Sequence, residues 1–336
     1  MPSKEALNNM IKGGIETGHN RYNNFDSLES NDDLENLLEV ISGYKDKKNN
    51  NPVFTALCIV ANPDFEKIRE DDFEKYYYEP VTETLQHYPR HNRVLDLWRE
   101  GSAQRLFVPQ FHGREHLNVQ RWLRDLKMGN KHTLLGFQNR LWGINSQLIP
   151  EGYLAAFDLD KPTDLGYMKS VIEEGLDLFK KIMRYKARYF VAPNGPFNLD
   201  LEKVLYDNGI QFITLNKKHK EPLGNKKYKT HYHFPGKKNT YGQIYLSRNV
   251  EFEPSVEGID WVNKCLKDTE IAFRMRKPAV ISTHRVNYTG SLDQKNRDRG
   301  LKQLSELLDR ILKTWPEVEF LTSVELGNLV SNKPLS

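Results

Sequence analysis

Apolar positions along the chain follow two alternating patterns. The first opens at Ser30, whose serine at a helix start and aspartate three residues on (Asp33) make a capping box. Leu34, Leu37, Leu38 and Ile41 follow at spacings of three and four, which predicts a helix of about three turns. The second pattern is a continuous run. Residues 52–60 carry apolar side chains without alternation, as a strand covered on both faces does. Residues 106–111, 189–192, 211–215, 278–283 and 318–321 read as further short strands. Residues 117–128, 169–183, 199–208 and 293–314 read as helices between them, with Gly129 and Gly209 as stops.

Strands alternating with helices across short linkers imply parallel βαβ units, hence a doubly wound sheet or a barrel. Sites in both lie at the C-terminal ends of strands. One stretch breaks the pattern. Residues 216–240 hold eight lysines, three histidines, four glycines or prolines and one glutamate, Glu221. This reads as a long exposed loop, either a solvated excursion or a basic lid over an anionic substrate.

Composition narrows the class. The 336 residues allow one large domain or two ordinary ones. Hydrophobic residues at 38% and charged residues at 28% argue for a globular chain. No run approaches the ~18 apolar residues of a membrane helix, and the N-terminus lacks the apolar segment of a secretory signal, so no membrane partner is expected. Two cysteines, Cys58 and Cys265, are too few for a disulfide scaffold or a cysteine zinc site. Cys58 inside an apolar run reads as a buried free thiol, which fits a reducing, cytoplasmic setting. A net charge of +4 is too small at this length to imply a nucleic-acid partner.

Candidate chemistry was sought just after each strand. His112-Gly113-Arg114-Glu115-His116 places two histidines four apart, on one face if the segment is helical and close enough to share a metal; two structural histidines are the plainer reading. Gly113 permits a sharp turn there. Pro193-Asn194-Gly195 after the 189–192 strand forms a turn that can aim N–H groups at an oxyanion, or simply connects strand to helix. His284 follows the 278–283 strand, a natural place for a general acid or base. Asp26 is a candidate metal carboxylate. Glu251 and Glu253, on one face if residues 249–254 form a strand, are a weaker glycosidase-like pair about 7 Å apart. Trp98, Trp122, Trp142, Trp261 and Trp315 could line a sugar site, though their spacing suits helix packing.

In order and spacing, these segments resemble the polysaccharide-deacetylase (NodB-homology) family, from about residue 26 to 326. His112 and His116 match its His-x-x-x-His metal motif. Residues 192–196 look like a diverged form of its Pro-containing oxyanion turn. His284 stands where the late motif places the histidine that assists the leaving group. The closing Glu319-Phe320-Leu321-Thr322-Ser323 resembles its final strand.

The resemblance implies an irregular (β/α) barrel, usually of seven strands, over residues 25–330, after a polar segment at 1–24. It implies a divalent metal, zinc being the expected ion, held by His112, His116 and Asp26. It further implies Asp26 as base, His284 as acid, Pro193, Asn194 and Gly195 at the oxyanion, and Arg114 and Arg285 orienting the site or a substrate anion. The implied activity is removal of acyl groups from an N-acylated carbohydrate. The family opens with a strand ending in an Asp-Asp pair. Here Ser27 follows Asp26, and Asp32-Asp33 falls in the first turn of a helix. The subgroup this chain is similar to carries Asp-Asp-Trp just before Met-Pro-Ser, where this chain has Met1-Pro2-Ser3. The first strand is therefore expected upstream. An inactive barrel that binds a glycan or a protein partner is the alternative, and an unrelated barrel hydrolase using Glu251 or Glu253 a further one.

Overall fold

The computed structural model describes residues 3–15, 20–144 and 146–331. Its strands are β1 (Phe54–Ile59), β2 (Ala61–Pro63), β3 (Tyr78–Pro80), β4 (Phe107–Gly113), β5 (Tyr189–Val191), β6 (Phe212–Thr214), β7 (Lys218–Gly224), β8 (Lys227–Tyr232), β9 (Ile244–Leu246), β10 (Val250–Glu251) and β11 (Ile281–Ser282). Five form a parallel sheet in the order β1-β4-β5-β6-β9. A separate parallel pair, β10-β11, follows. The α/β class with parallel crossovers agrees with the sequence pattern. Ring closure is absent among the described strands: β1 ends the five-stranded sheet, and β11 pairs only with β10.

The core beside these short strands is aromatic. Phe111, Phe157, Phe190 and Phe197 lie fully buried and contact one another edge-on or tilted. Helices cover the faces as their periodicity requires. Helix Asn31–Ser42 starts with the expected reciprocal cap between Ser30 and Asp33 and buries Leu34, Leu37 and Ile41. Helix Gln294–Thr314 buries Leu301, Leu304, Leu307, Leu308 and Ile311. Each such side chain contributes about 1.5–3 kcal/mol by leaving water. Gly129 and Gly209 take φ of 70° and 98°, as helix stops do. Cys58 and Cys265 are buried free thiols. Among the described residues no helix is long and apolar enough to cross a membrane.

Four expectations fail locally. Most of residues 216–240 is not a loop: β7 and β8, over residues 218–232, pair as an antiparallel hairpin, and His219, Glu221 and the following His233 are buried. Residues 318–321 join no strand. Asp46 accepts from the Phe320 N–H and Arg105 donates to the Phe320 carbonyl, so side chains take the bonds a strand would have used. The 278–283 strand shortens to two residues. The polar N-terminal segment holds helix Lys4–Lys12, whose Ala6 and Met10 are buried in a second cluster around Trp122 and Phe137. Met1 and Pro2 lie outside the described residues.

The outer edges of β1 and β11 border one cleft of about 2110 Å³. Its floor is apolar, with Leu304, Leu307 and Ile311 from the long helix and Phe320 beyond them. Ile281 of β11 remains 38% exposed to it. β1 is an edge of the five-stranded sheet and β11 an edge of the separate pair, so two strand edges without a strand partner among the described residues border this apolar slot.

Candidate functional site

The polar end of this cleft gathers residues from four strand ends, those of β4, β5, β9 and β11, and from the end of helix Arg21–Phe25. His112, His116, Asn194, Gly195, Arg248, His284, Asp26 and Arg285 all border it.

The histidine pair is built by a strand irregularity, not by a helix. Cys58 of β1 pairs with Phe111 of β4, and Ile59 pairs with Gly113, so His112 is the extra residue of a bulge. A bulge re-aims a side chain at a sheet end. Gly113 then turns at φ 155°, where a Cβ would meet the Glu115 carbonyl at 3.2 Å. The expected helical face is thus replaced by strand, bulge and turn, and these bring the two rings to 5.3 Å between centroids. His112 Nδ1 donates to the Val191 carbonyl at 2.7 Å, which leaves Nε2 as the free lone pair. Burial pushes the His112 pKa down to about 3, with the neighbouring His116 adding to it. Burial likewise pushes His116 down to about 4. Both rings are therefore neutral, the form that ligates metal.

The other expected residues divide. Asp26 is in the cleft, but Arg285 grips both its oxygens at 3.0 Å and also reaches Glu29 at 3.3 Å. Arg285 thus orients Asp26, and among the described residues no three donors converge as a ready metal site. Arg114 is turned out of the cleft. It is buried against Glu115 at 2.6 and 2.7 Å, reaches Glu174, and lies over the Tyr76 and Tyr78 rings. Its place is to brace the turn between the histidines, not to meet substrate.

In the 192–196 turn, Asn194 and Gly195 take φ of 56° and 99°. Pro193 has no N–H, and Gly195 spends its own on the Ala192 carbonyl at 3.2 Å. Of the three expected oxyanion residues, Asn194 is left with the backbone donor.

His284 forms a short hydrogen bond through Nδ1 to Glu253. Glu253 also accepts from Arg21 at 2.7 Å and Asn287 at 2.9 Å. Burial would raise the Glu253 pKa; His284, Asn287 and Arg21 outweigh it and hold the carboxyl below the usual range. An anionic partner on Nδ1 fixes the proton there and leaves Nε2 free, as an acid–base histidine requires. Glu253 was read from sequence as half of a glutamate pair. Glu251 is instead exposed beside Lys264, so the two do not act together. Glu253, like the other candidate residues, follows a strand end, here that of β10. Arg248 was missed as a cleft residue, whereas Trp142, one of the tryptophans considered for a sugar site, does border the cleft. Trp142 donates from its indole to the His116 carbonyl at 3.1 Å.

No family model matches the sequence, and a search of curated proteins finds no similar sequence. Three solved structures share part of the architecture. An allantoinase, Puue, is 11% identical over 71% of this chain and 63% of its own, with a TM-score of 0.39. The α-amylase AmyC from Thermotoga maritima is 9% identical over 88% and 60%, at 0.41. The GH57 branching enzyme TK1436 from Thermococcus kodakaraensis, crystallised with glucose and additives, is 13% identical over 80% and 56%, at 0.36. The chain thus spans less than two thirds of each of these structures. Likeness at this level carries no argument about chemistry.

Proposed function

We propose that this cleft is the active site of a metal-dependent hydrolase that removes acyl groups from an N-acylated carbohydrate. The observation that carries the reading is the His112–His116 pair, with His112 Nδ1 pinned to Val191 and His284 close enough to act on it electrostatically. The donor set fits a divalent ion: neutral imidazoles on rings 5.3 Å apart suit zinc, whose bonds of about 2.0–2.1 Å place the centroids of shared rings about 5 Å apart. His112 and His116 would hold the ion, which would polarise a substrate carbonyl and supply an acidified water.

This chain's own residues do the rest. His284 Nε2 gives the proton to the departing amine, with Glu253 holding the ring and stabilising its charged form. The Asn194 N–H faces the developing oxyanion, worth roughly 3–4 kcal/mol for one donor. Trp142 offers an indole face at the rim of the cleft.

Asp26 joins the pair only by giving up Arg285. We therefore assign the remaining ligand and the general base to Asp26 once a bound ion displaces Arg285 from it. The test is acetate release from an N-acetylated oligosaccharide, with zinc, by this chain. Release that His112→Ala and His284→Ala abolish supports the reading. No release, or release indifferent to His112→Ala, removes it. The engagement of Asp26 by Arg285 favours the second reading, an inactive glycan binder; there the chain binds the oligosaccharide and releases nothing.

A further inference from the structure

The β7–β8 hairpin carries a histidine cluster that the cleft does not use. Its register sets His219 opposite His231 and Glu221 opposite Lys229. Residues two apart share a face, so His219, Glu221 and His231 fall on one side, and His233 continues it with its N–H on the Lys217 carbonyl. Lys218 and Lys220 alternate with them and are exposed on the opposite side. None of the four cluster residues borders the cleft.

Their geometry is close to a ligand set. His219 Nδ1 lies 3.2 Å from His233 Nε2. Two nitrogens bound to one zinc at about 2.0–2.1 Å are about 3.3 Å apart. The ring centroids of His219 and His233 are separated by 5.3 Å, and each lies 6.3 Å from that of His231. Glu221 Oε2 is 2.7 Å from His231 Nε2, while its Oε1 accepts from the Leu199 N–H at 3.0 Å. That second bond fixes the carboxylate as outer partners fix metal ligands.

Burial makes the arrangement costly without an ion. His219, Glu221 and His233 are 1%, 7% and 6% exposed. His233 bonds through Nε2 to His219, but its Nδ1 has no hydrogen-bond partner, so hydrogen bonding satisfies only one of the two nitrogens of this buried ring. The set is not yet closed, since no three donors meet at one point. Moving the half-buried His231 ring about 1 Å nearer the other two brings it to the spacing of rings on one tetrahedral ion.

We infer that His219, His231, His233 and Glu221 form a second metal site, structural in kind, which takes zinc or another imidazole-seeking transition ion and locks the hairpin. Three imidazoles and one carboxylate select such ions over magnesium or calcium. Four protein donors leave no open position, so the site holds the fold and does not perform hydrolysis.

The experiment is zinc titration by calorimetry of the His112→Ala/His116→Ala double variant, which removes the cleft pair. The expected result is one zinc per chain, weakened at least about tenfold by adding His231→Ala or Glu221→Gln, both judged by circular dichroism to be folded. Absence of zinc binding by the folded double variant overturns the inference. So does binding that neither added substitution changes. The wild-type chain gives an independent reading by imidazole NMR: zinc must shift the resonances of His219, His231 and His233, and their indifference overturns the inference equally.

Discussion

His284 and Glu253 are joined by a short hydrogen bond between a residue after β11 and a residue after β10, neighbouring ends of the same parallel pair. The bond turns a surface histidine into an oriented one. Because interactions with His284, Asn287 and Arg21 hold the Glu253 carboxyl below its ordinary range, this group stabilises the fold above its unfolded pKa of about 4.3. That contribution is lost as pH falls through the lower folded value. Urea midpoints measured from neutral to acid pH should therefore fall less steeply in Glu253→Gln than in wild type. Equal slopes would show that the ionised carboxyl contributes nothing.

Gly113→Ala tests the turn between the histidines. At φ 155° with the Glu115 carbonyl 3.2 Å from a built Cβ, alanine is strained by about 1–3 kcal/mol. The urea midpoint should drop accordingly, and zinc affinity should fall with it because the same turn sets the ring spacing. A loss of stability with unchanged affinity would separate the turn from the pair.

Arg114 and Glu115 form an ion pair 3% and 1% exposed. Removing one partner leaves a buried charge, at a cost of about 3–5 kcal/mol. Arg114→Leu should destabilise by that order in denaturant unfolding, whereas Arg114→Leu with Glu115→Leu should recover much of it. A double variant no better than the single would contradict the pairing.

The open slot makes its own claim. β1 is bonded on one side only, while β5 lies between β4 and β6. Amide exchange followed by mass spectrometry should be faster in peptides covering residues 54–59 than in those covering 189–191. Equal protection in both segments would mean that the β1 edge is already covered.

Much of the sheet was legible because its strands are covered on both faces and so read as apolar runs, as in residues 52–60 and 211–215. The capping box at Ser30 and the glycine stops at Gly129 and Gly209 are local signals that survive folding unchanged. The hairpin was illegible for a physical reason: its buried face is His219, Glu221, His231 and His233, polar residues that alternate with lysines, so no apolar period marks it. Residues 318–321 look like a strand by propensity, but whether they pair depends on Asp46 and Arg105, far away in sequence. At the candidate site, residue types and order were readable. The bulge at His112, the capture of Asp26 by Arg285 and the inward turn of Arg114 were not, since each depends on a partner brought near only by the fold.

Zinc titration of the whole chain beside His112→Ala and His116→Ala tests the central claim most directly, read by ion-dependent shifts of the His112 and His116 imidazole resonances so that the hairpin cluster is scored apart. Zinc binding that shifts both rings, with each substitution weakening that site at least about tenfold, is the expected result. Imidazoles at His112 and His116 that ignore zinc would contradict it.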